Sequence, residues 1–147
     1  MKTNLALLIA ALFASTVALA APKEKAPAPA KKYVTVDYST ELLLDKDAAK
    51  TIWVEEIPGK VAKAYPLKKW GFATHVEGGF NAGKTCVVAA RVMLLPLGVN
   101  GKTMLYKPKK TTSTFDALPT ATKEQCTDLA RSKLKEAIHA MIVAMGG

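Results

Sequence analysis

The chain has 147 residues, half of them apolar, with 21 Lys and Arg against 12 Asp and Glu, and two cysteines. That length and composition exclude a multidomain, membrane-spanning or disulfide-dense protein. The formal charge of +9 makes the protein basic and suits an anionic partner.

Residues 1–20 read as a secretory signal. Lys2 supplies the positive start, Leu5 to Leu12 an apolar stretch too short to span a bilayer, and Ala18-Leu19-Ala20 a small-x-small cleavage site. No cysteine follows that site, so a lipid anchor at the new N-terminus is not expected. Cleavage removes Lys2 and no acid, leaving a mature chain of 127 residues with formal charge +8, periplasmic or secreted. Residues 21–32 alternate Pro and Ala with Lys and Glu and carry no large apolar side chain, so burial cannot offset the entropy of ordering them. They are expected to form a solvated tether, and residues 33–147 a single α+β domain.

Within that domain the pattern predicts a short strand over Tyr33–Tyr38, where Val34 and Val36 alternate with Thr35 and Asp37. Asp45 is placed to cap a helix from Lys46 to about Glu56, which puts Ala48, Ala49, Ile52 and Trp53 on one side before Pro58-Gly59 interrupts it. Val61–Tyr65 suits another helical turn. Trp70, Phe72, Thr74, Val76 and Gly78 alternate with Lys69, Gly71, Ala73, His75 and Glu77 in a half-buried strand, and Lys84–Leu95 is apolar on both faces, as in a central strand. A third strand over Lys102–Phe115, with Pro108 and Lys107, Lys109 and Lys110, suits an edge.

Asn81-Ala82-Gly83 and Val99-Asn100-Gly101 are each read as three-residue hairpin loops with glycine in the left-handed third position. A two-residue Asn100-Gly101 turn would set Lys107 and Lys109 on the face of Val88, Val92 and Leu94. The three-residue form sets Met104 and Tyr106 there instead and is preferred on burial. Cys126, Leu129, Ala130, Leu134, Ala137, Ile138, Met141, Ile142 and Met145 recur at helical steps, Thr122 with Gln125 makes a capping box, and Gly146-Gly147 closes the run. The expected fold is thus an antiparallel three- to four-stranded meander packed by a long C-terminal amphipathic helix, with a shorter N-terminal helix. Whether that shorter helix covers the outer sheet face is left open.

In an exported chain Cys86 and Cys126 are expected to pair, tying the first turn of the last helix to the central strand. The loop closed is about 40 residues, for which chain-entropy arguments give roughly 4 kcal/mol.

Gly78 to Thr85 fits the phosphate-loop pattern of Gly, four residues, then Gly-Lys-Thr. The chemistry needs a helix opening at Lys84, and the β-branched Cys86–Val92 segment argues against one, so nucleotide is not an expected ligand. His75 and Glu77 share one face of their strand and offer acid–base potential without the Pro-Cys-x-x-Cys that accompanies the His-x-Glu of zinc deaminases. No Gly-x-Ser-x-Gly elbow is present, and no metal or cofactor is expected. The remaining candidate is a basic outer face formed by Lys69, His75, Arg91, Lys107 and Lys109, suited to an anionic envelope polymer, a lipid head group or a protein. Nucleic acid is not expected, since no aromatic platform alternates with those lysines.

The sequence thus supports an exported, basic, non-catalytic binding module of the cell envelope. An exported inhibitor or immunity-type protein, and a small hydrolase using His75 and Glu77, are the alternatives. The cysteine pairing has a direct check: intact mass of exported material after thiol alkylation should show no added label, and two labelled thiols would overturn it.

Overall fold

The computed structural model describes residues 34–66, 68–99 and 103–146. The expected signal segment, the tether, Tyr33 and the Asn100-Gly101 turn lie outside them. The elements, in chain order, are strand β1 (Val34–Asp37), helices α1 (Lys46–Glu56) and α2 (Gly59–Ala64), strands β2 (Trp70–Phe80), β3 (Cys86–Pro96) and β4 (Lys110–Leu118), and helix α3 (Lys123–Ala144). The fold is α+β, with α3 packed on one face of a four-stranded sheet of order β1-β2-β3-β4.

The helix ends follow from local chemistry. Asp45 accepts the Ala48 N–H at 2.8 Å and starts α1, and the Ile57 N–H returns to the Trp53 carbonyl before Pro58. At α3 the capping box forms as expected, Thr122 accepting the Gln125 N–H while the Gln125 side chain accepts the Thr122 N–H.

Even-numbered residues of β2 and β3 point to the helical side. Phe72, Val76, Cys86, Val88, Val92 and Leu94 are buried there against Ala130, Leu134, Ala137, Ile138 and Met141 of α3. Helix α1 lies on this same side, beside α3. Its Trp53 ring packs 4.8 Å from the Phe72 ring, and its indole N–H donates to Thr74 Oγ1 at 2.7 Å. Burying side chains of this size stabilises by roughly 1.5–3 kcal/mol each. With both helices on one side, the N-terminal helix does not cover the outer sheet face, although Gly71, Ala73 and Leu95 on that face are buried. Val87, Arg91, Ser113 and Phe115 are exposed there.

The structure corrects three expectations. First, the sheet is mixed. β1 runs parallel to β2, with Val36 opposite Ala73 and Asp37 opposite Thr74, because α1 and α2 carry the chain back across the sheet before β2 begins. The β2–β3–β4 part is the antiparallel meander expected.

Second, the Phe80 hairpin closes one residue later than expected. Asn81 N–H donates to the Thr85 carbonyl, so the loop is Ala82-Gly83-Lys84, and Lys84, not Gly83, takes the left-handed conformation at φ 55°. The Asn81 side chain stabilises it by accepting the Gly83 and Thr85 N–H groups. The new pairing, Phe80 opposite Cys86, preserves which side chains face the core.

Third, the last strand begins at Lys110 and not at Lys102. Leu97 lies opposite Met104 and Gly98 N–H bonds the Thr103 carbonyl, one residue away from the three-residue register. The chain then leaves the ladder over Tyr106–Lys109, where Pro108 has no N–H to give, and re-enters with Lys110 opposite Leu94. Met104 and Tyr106 therefore do not join the core face. Met104 lies over Gly71 on the outer face, and Tyr106 is fully exposed.

Gly78 supplies the backbone freedom β2 needs opposite Val88. Its φ is +138°, and a Cβ there would sit 2.0 Å from the Val87 carbonyl oxygen. Gly78→Ala should lose about 1–3 kcal/mol or more in denaturant unfolding. Gly59→Ala, where a Cβ meets nothing within 4 Å, should stay near wild type. Equal stability of the two variants would contradict this account of the strand.

Candidate functional site: the lysine-rich end of the sheet

The five side chains expected to form one basic face are divided by the structure into two places. His75 and Arg91 are directly opposite each other in mid-sheet on the outer face. Lys69 lies in the turn before β2, and Lys107 and Lys109 lie in the segment that leaves the ladder before β4. These three meet at one end of the sheet. Lys69 O accepts the Leu97 N–H at 2.8 Å, just past β3, and the Lys109 N–H donates to Leu94 O at 2.8 Å, so both backbones are tied to the chain around the C-terminal end of β3. Lys68, which the pattern did not single out, is exposed beside Lys69.

The same end carries apolar side chains in water. Leu105 N–H bonds the Pro96 carbonyl, which closes a short ribbon after β3. On that ribbon and its return Val99 and Tyr106 are fully exposed and Leu105 is half exposed. Between Glu77 and Asp116 the sequence has no acidic residue, so nothing in this stretch neutralises Lys107 or Lys109. That acid-free run, together with Pro108, was the signal in the sequence that could have located the surface.

Lys110, next in the chain, is turned the other way and donates to the Ala144 carbonyl at the C-terminal end of α3, as suits a cation near a helix C-terminus. Thr112 and Thr114 Oγ1 donate to the carbonyls of Ala137 and Lys133 at 2.8 Å each. The inward side of β4 thus holds α3 by hydrogen bonds, while its outward side shows Phe115 at 82% exposure.

His75 Nε2 is 3.6 Å from Glu77 Oε2 on the outer strand surface, beyond hydrogen-bond distance. His139 lies on the polar side of α3, its Nε2 at 2.5 Å from Glu56 Oε2, with Lys135 3.5 Å from Glu56 Oε1, so it stitches α1 to α3. Lys84 belongs to a hairpin and the chain after it is strand, so the Gly78–Thr85 segment presents no helix N-terminus to a phosphate. Among the described residues no group of three or more His, Cys, Asp or Glu side chains could hold a metal, and no helix is long and apolar enough to cross a membrane. The Cys86–Cys126 disulfide is formed.

No family model matches the chain, and no curated protein matches it. Among solved structures it is similar to a crystal structure of a candidate lipoprotein from Caulobacter crescentus CB15, at 13% identity over 78% of this chain and 87% of that one, with a TM-score of 0.38.

Asp116 and Lys133 join β4 to α3 at an N–O distance of 3.3 Å, and Lys133 also reaches Glu136 at 2.6 Å. The Ala117 N–H first, and Lys133 second, hold the Asp116 carboxyl below its ordinary 3.8. Hydrogen bonds to Glu136 and then Asp116 raise Lys133 above its ordinary 10.5. A depressed carboxyl contributes stability above its unfolded-state value that disappears as pH falls through the folded one. The melting-temperature difference between wild type and Asp116→Asn should therefore be constant above about pH 5 and close below the ordinary aspartate range. A difference unchanged at about pH 2 would show that the Asp116 charge is not its source.

Proposed function

We propose that this is an exported, non-catalytic protein of the cell envelope that docks on an anionic lipid surface through the lysine-rich end of its sheet. The observation that carries the reading is the juxtaposition there of exposed Val99, Leu105 and Tyr106 with Lys68, Lys69, Lys107 and Lys109. Apolar side chains held in water gain free energy on entering the boundary between head groups and acyl chains, with tyrosine suited to the head-group level. Each lysine adds about 1 kcal/mol at an anionic leaflet. The export signal and the lysines of residues 21–32 support the same reading, since they deliver a +8 chain to an envelope rich in anionic groups. The closed disulfide suits an oxidising compartment.

A second reading, an inhibitor or immunity-type protein, draws on Phe115, an exposed aromatic on an open sheet face of the kind that anchors protein interfaces.

Co-sedimentation of the mature chain with phosphatidylglycerol vesicles distinguishes them. Binding should be strong at low salt, fall as sodium chloride rises, and be absent on phosphatidylcholine. Lys107→Glu with Lys109→Glu should weaken it by roughly thirty-fold or more, and Tyr106→Ser should weaken it without changing the salt slope. No binding to the anionic vesicles overturns the lipid reading. Capture of one envelope protein, lost in Phe115→Ala, would then support the second.

A further inference from the structure

β4 is the last strand in the sheet order, so among the described residues no strand pairs with its outer edge. The hydrogen bonds around it decide which backbone groups face that edge. The Leu94 carbonyl points toward β4, since it accepts the Lys109 N–H. The N–H and C=O of one residue point to the same side of a strand and alternate along it. Even-numbered residues of β3 therefore bond their even-numbered partners, Lys110 to Leu118, and the backbone groups of Thr111, Ser113, Phe115 and Ala117 face outward. At Ala117 the N–H is already met, because it donates to Asp116 Oδ1 at 2.8 Å. Thr111, Ser113 and Phe115 each present an N–H and a C=O to the open edge.

Such an edge is a template for another strand unless a lysine, a proline, a bulge or shortness prevents it. β1, at the opposite edge, has only four residues. Thr111 to Phe115 reads Thr-Thr-Ser-Thr-Phe, mostly β-branched or aromatic, with neither charge nor proline. The charges of β4 stand toward its two ends and have opposite sign, Lys110 at the start and Asp116 near the finish.

This arrangement is self-complementary in one register. With two copies of β4 antiparallel about a two-fold axis at Ser113, Ser113 faces itself and Thr111 faces Phe115, so every free outward N–H meets a carbonyl. Beyond them Lys109 faces Ala117, whose N–H groups are both already bonded, and the ladder ends. Lys110 of each copy stands opposite Asp116 of the other, in the non-hydrogen-bonded pairs where side chains approach most closely. Sliding one strand by a single residue sets outward groups opposite inward ones. Sliding it by two sets Lys109 opposite Phe115, or Ala117 opposite Thr111, and either slide separates Lys110 from Asp116.

We infer that the outer edge of β4 is a docking site for a second copy of this chain, the two sheets joining into one continuous sheet. The two-fold axis is perpendicular to the sheet, so both α3 helices lie on one side of it. On the other side each exposed Phe115 lies beside Thr111 of the second copy. The inference stands apart from the lipid reading, whose lysines lie outside β4, and no lipid enters its test.

Sedimentation velocity of the mature chain from about 1 to 500 µM reads the association, and amide hydrogen exchange on the same samples locates it. A monomer–dimer equilibrium is expected, with a Kd of about 100 µM or tighter. The Thr111, Ser113 and Phe115 amides should exchange several-fold more slowly in the dimer than in the monomer, whereas those of Thr112 and Thr114, bonded to β3 in both, should stay slow throughout. Ser113→Pro removes an outward N–H and none of those given to β3, and should raise the Kd roughly tenfold or more. Ser113→Lys, at an exposed position, sets like charges opposite each other at the axis and should weaken the dimer similarly, so the test stands even if the proline variant fails to fold. A chain that stays monomeric at about 500 µM overturns the inference, as does a dimer whose Kd is unchanged in Ser113→Lys. Slow exchange of the Thr111, Ser113 and Phe115 amides in samples that sediment as monomer would overturn it too, because another part of the same chain would then cover the edge.

Discussion

The packing of α3 against the inner face of β2, β3 and β4 is the constraint on which the rest of the molecule depends. It is made in two ways. Across the centre it is apolar contact, with Ala130, Leu134, Ala137, Ile138 and Met141 buried against Phe72, Val76, Val88 and Leu94. Along β4 it is polar, through Thr114, Thr112 and Lys110 to successive helix carbonyls, with Asp116 and Lys133 beside them. The Cys86–Cys126 bond fixes the first turn of the helix to the start of β3, so the helix is tied near both of its ends. An edge strand with threonines on its inward side would be a poor partner for an apolar helix. The hydrogen bonds to backbone carbonyls are what make β4 a packing surface.

With both α1 and α3 on one side, neither helix covers the other side of the sheet, which is exposed at Val87, Arg91, Ser113 and Phe115 and buried at Ala73 and Leu95. β3 illustrates the consequence. It is central in the strand order and apolar along nearly its whole length, yet Val87 is exposed and Met93 half-buried, because neither α1 nor α3 lies on that side of the sheet. Near the end of the sheet Met104 and Leu97 fold over Gly71 and cover part of this side, and there the chain turns its lysines and exposed apolar residues outward together. At the far edge a small cavity lies between the parallel β1 strand and α1. The same topology thus sets the basic surface and this cavity apart from each other, each attached to a rigid element.

The expected basic face shows how far a pattern of alternating residues can be followed. His75 and Arg91 stand opposite each other as alternation implies, because β2 and β3 are uninterrupted ladders of eleven residues each. Lys107 and Lys109 do not join them, because Pro108 cannot give a ladder hydrogen bond and the strand starts only at Lys110. Only a small displacement in register separated a continuous face from a clustered end. Similarly, Gly83 seemed the residue for the left-handed position of its loop, but Asn81 can stabilise the turn through two N–H groups, and that places Lys84 there.

What the sequence determined by itself was whatever short-range chemistry decides. The caps Asp45 and Thr122 set where α1 and α3 begin, the alternation from Trp70 to Gly78 set which side chains of β2 face α3, and two cysteines left one possible pairing within the chain. The tertiary structure alone decided the rest. β1 joins the sheet parallel to β2 across two intervening helices, and no turn residue marks such a pairing. The side on which α1 lies, the register of β4, and the meeting of Asp37 with Thr74 depend likewise on contacts between residues far apart in the chain. Their free energies belong to the assembled core and not to any local run of residues.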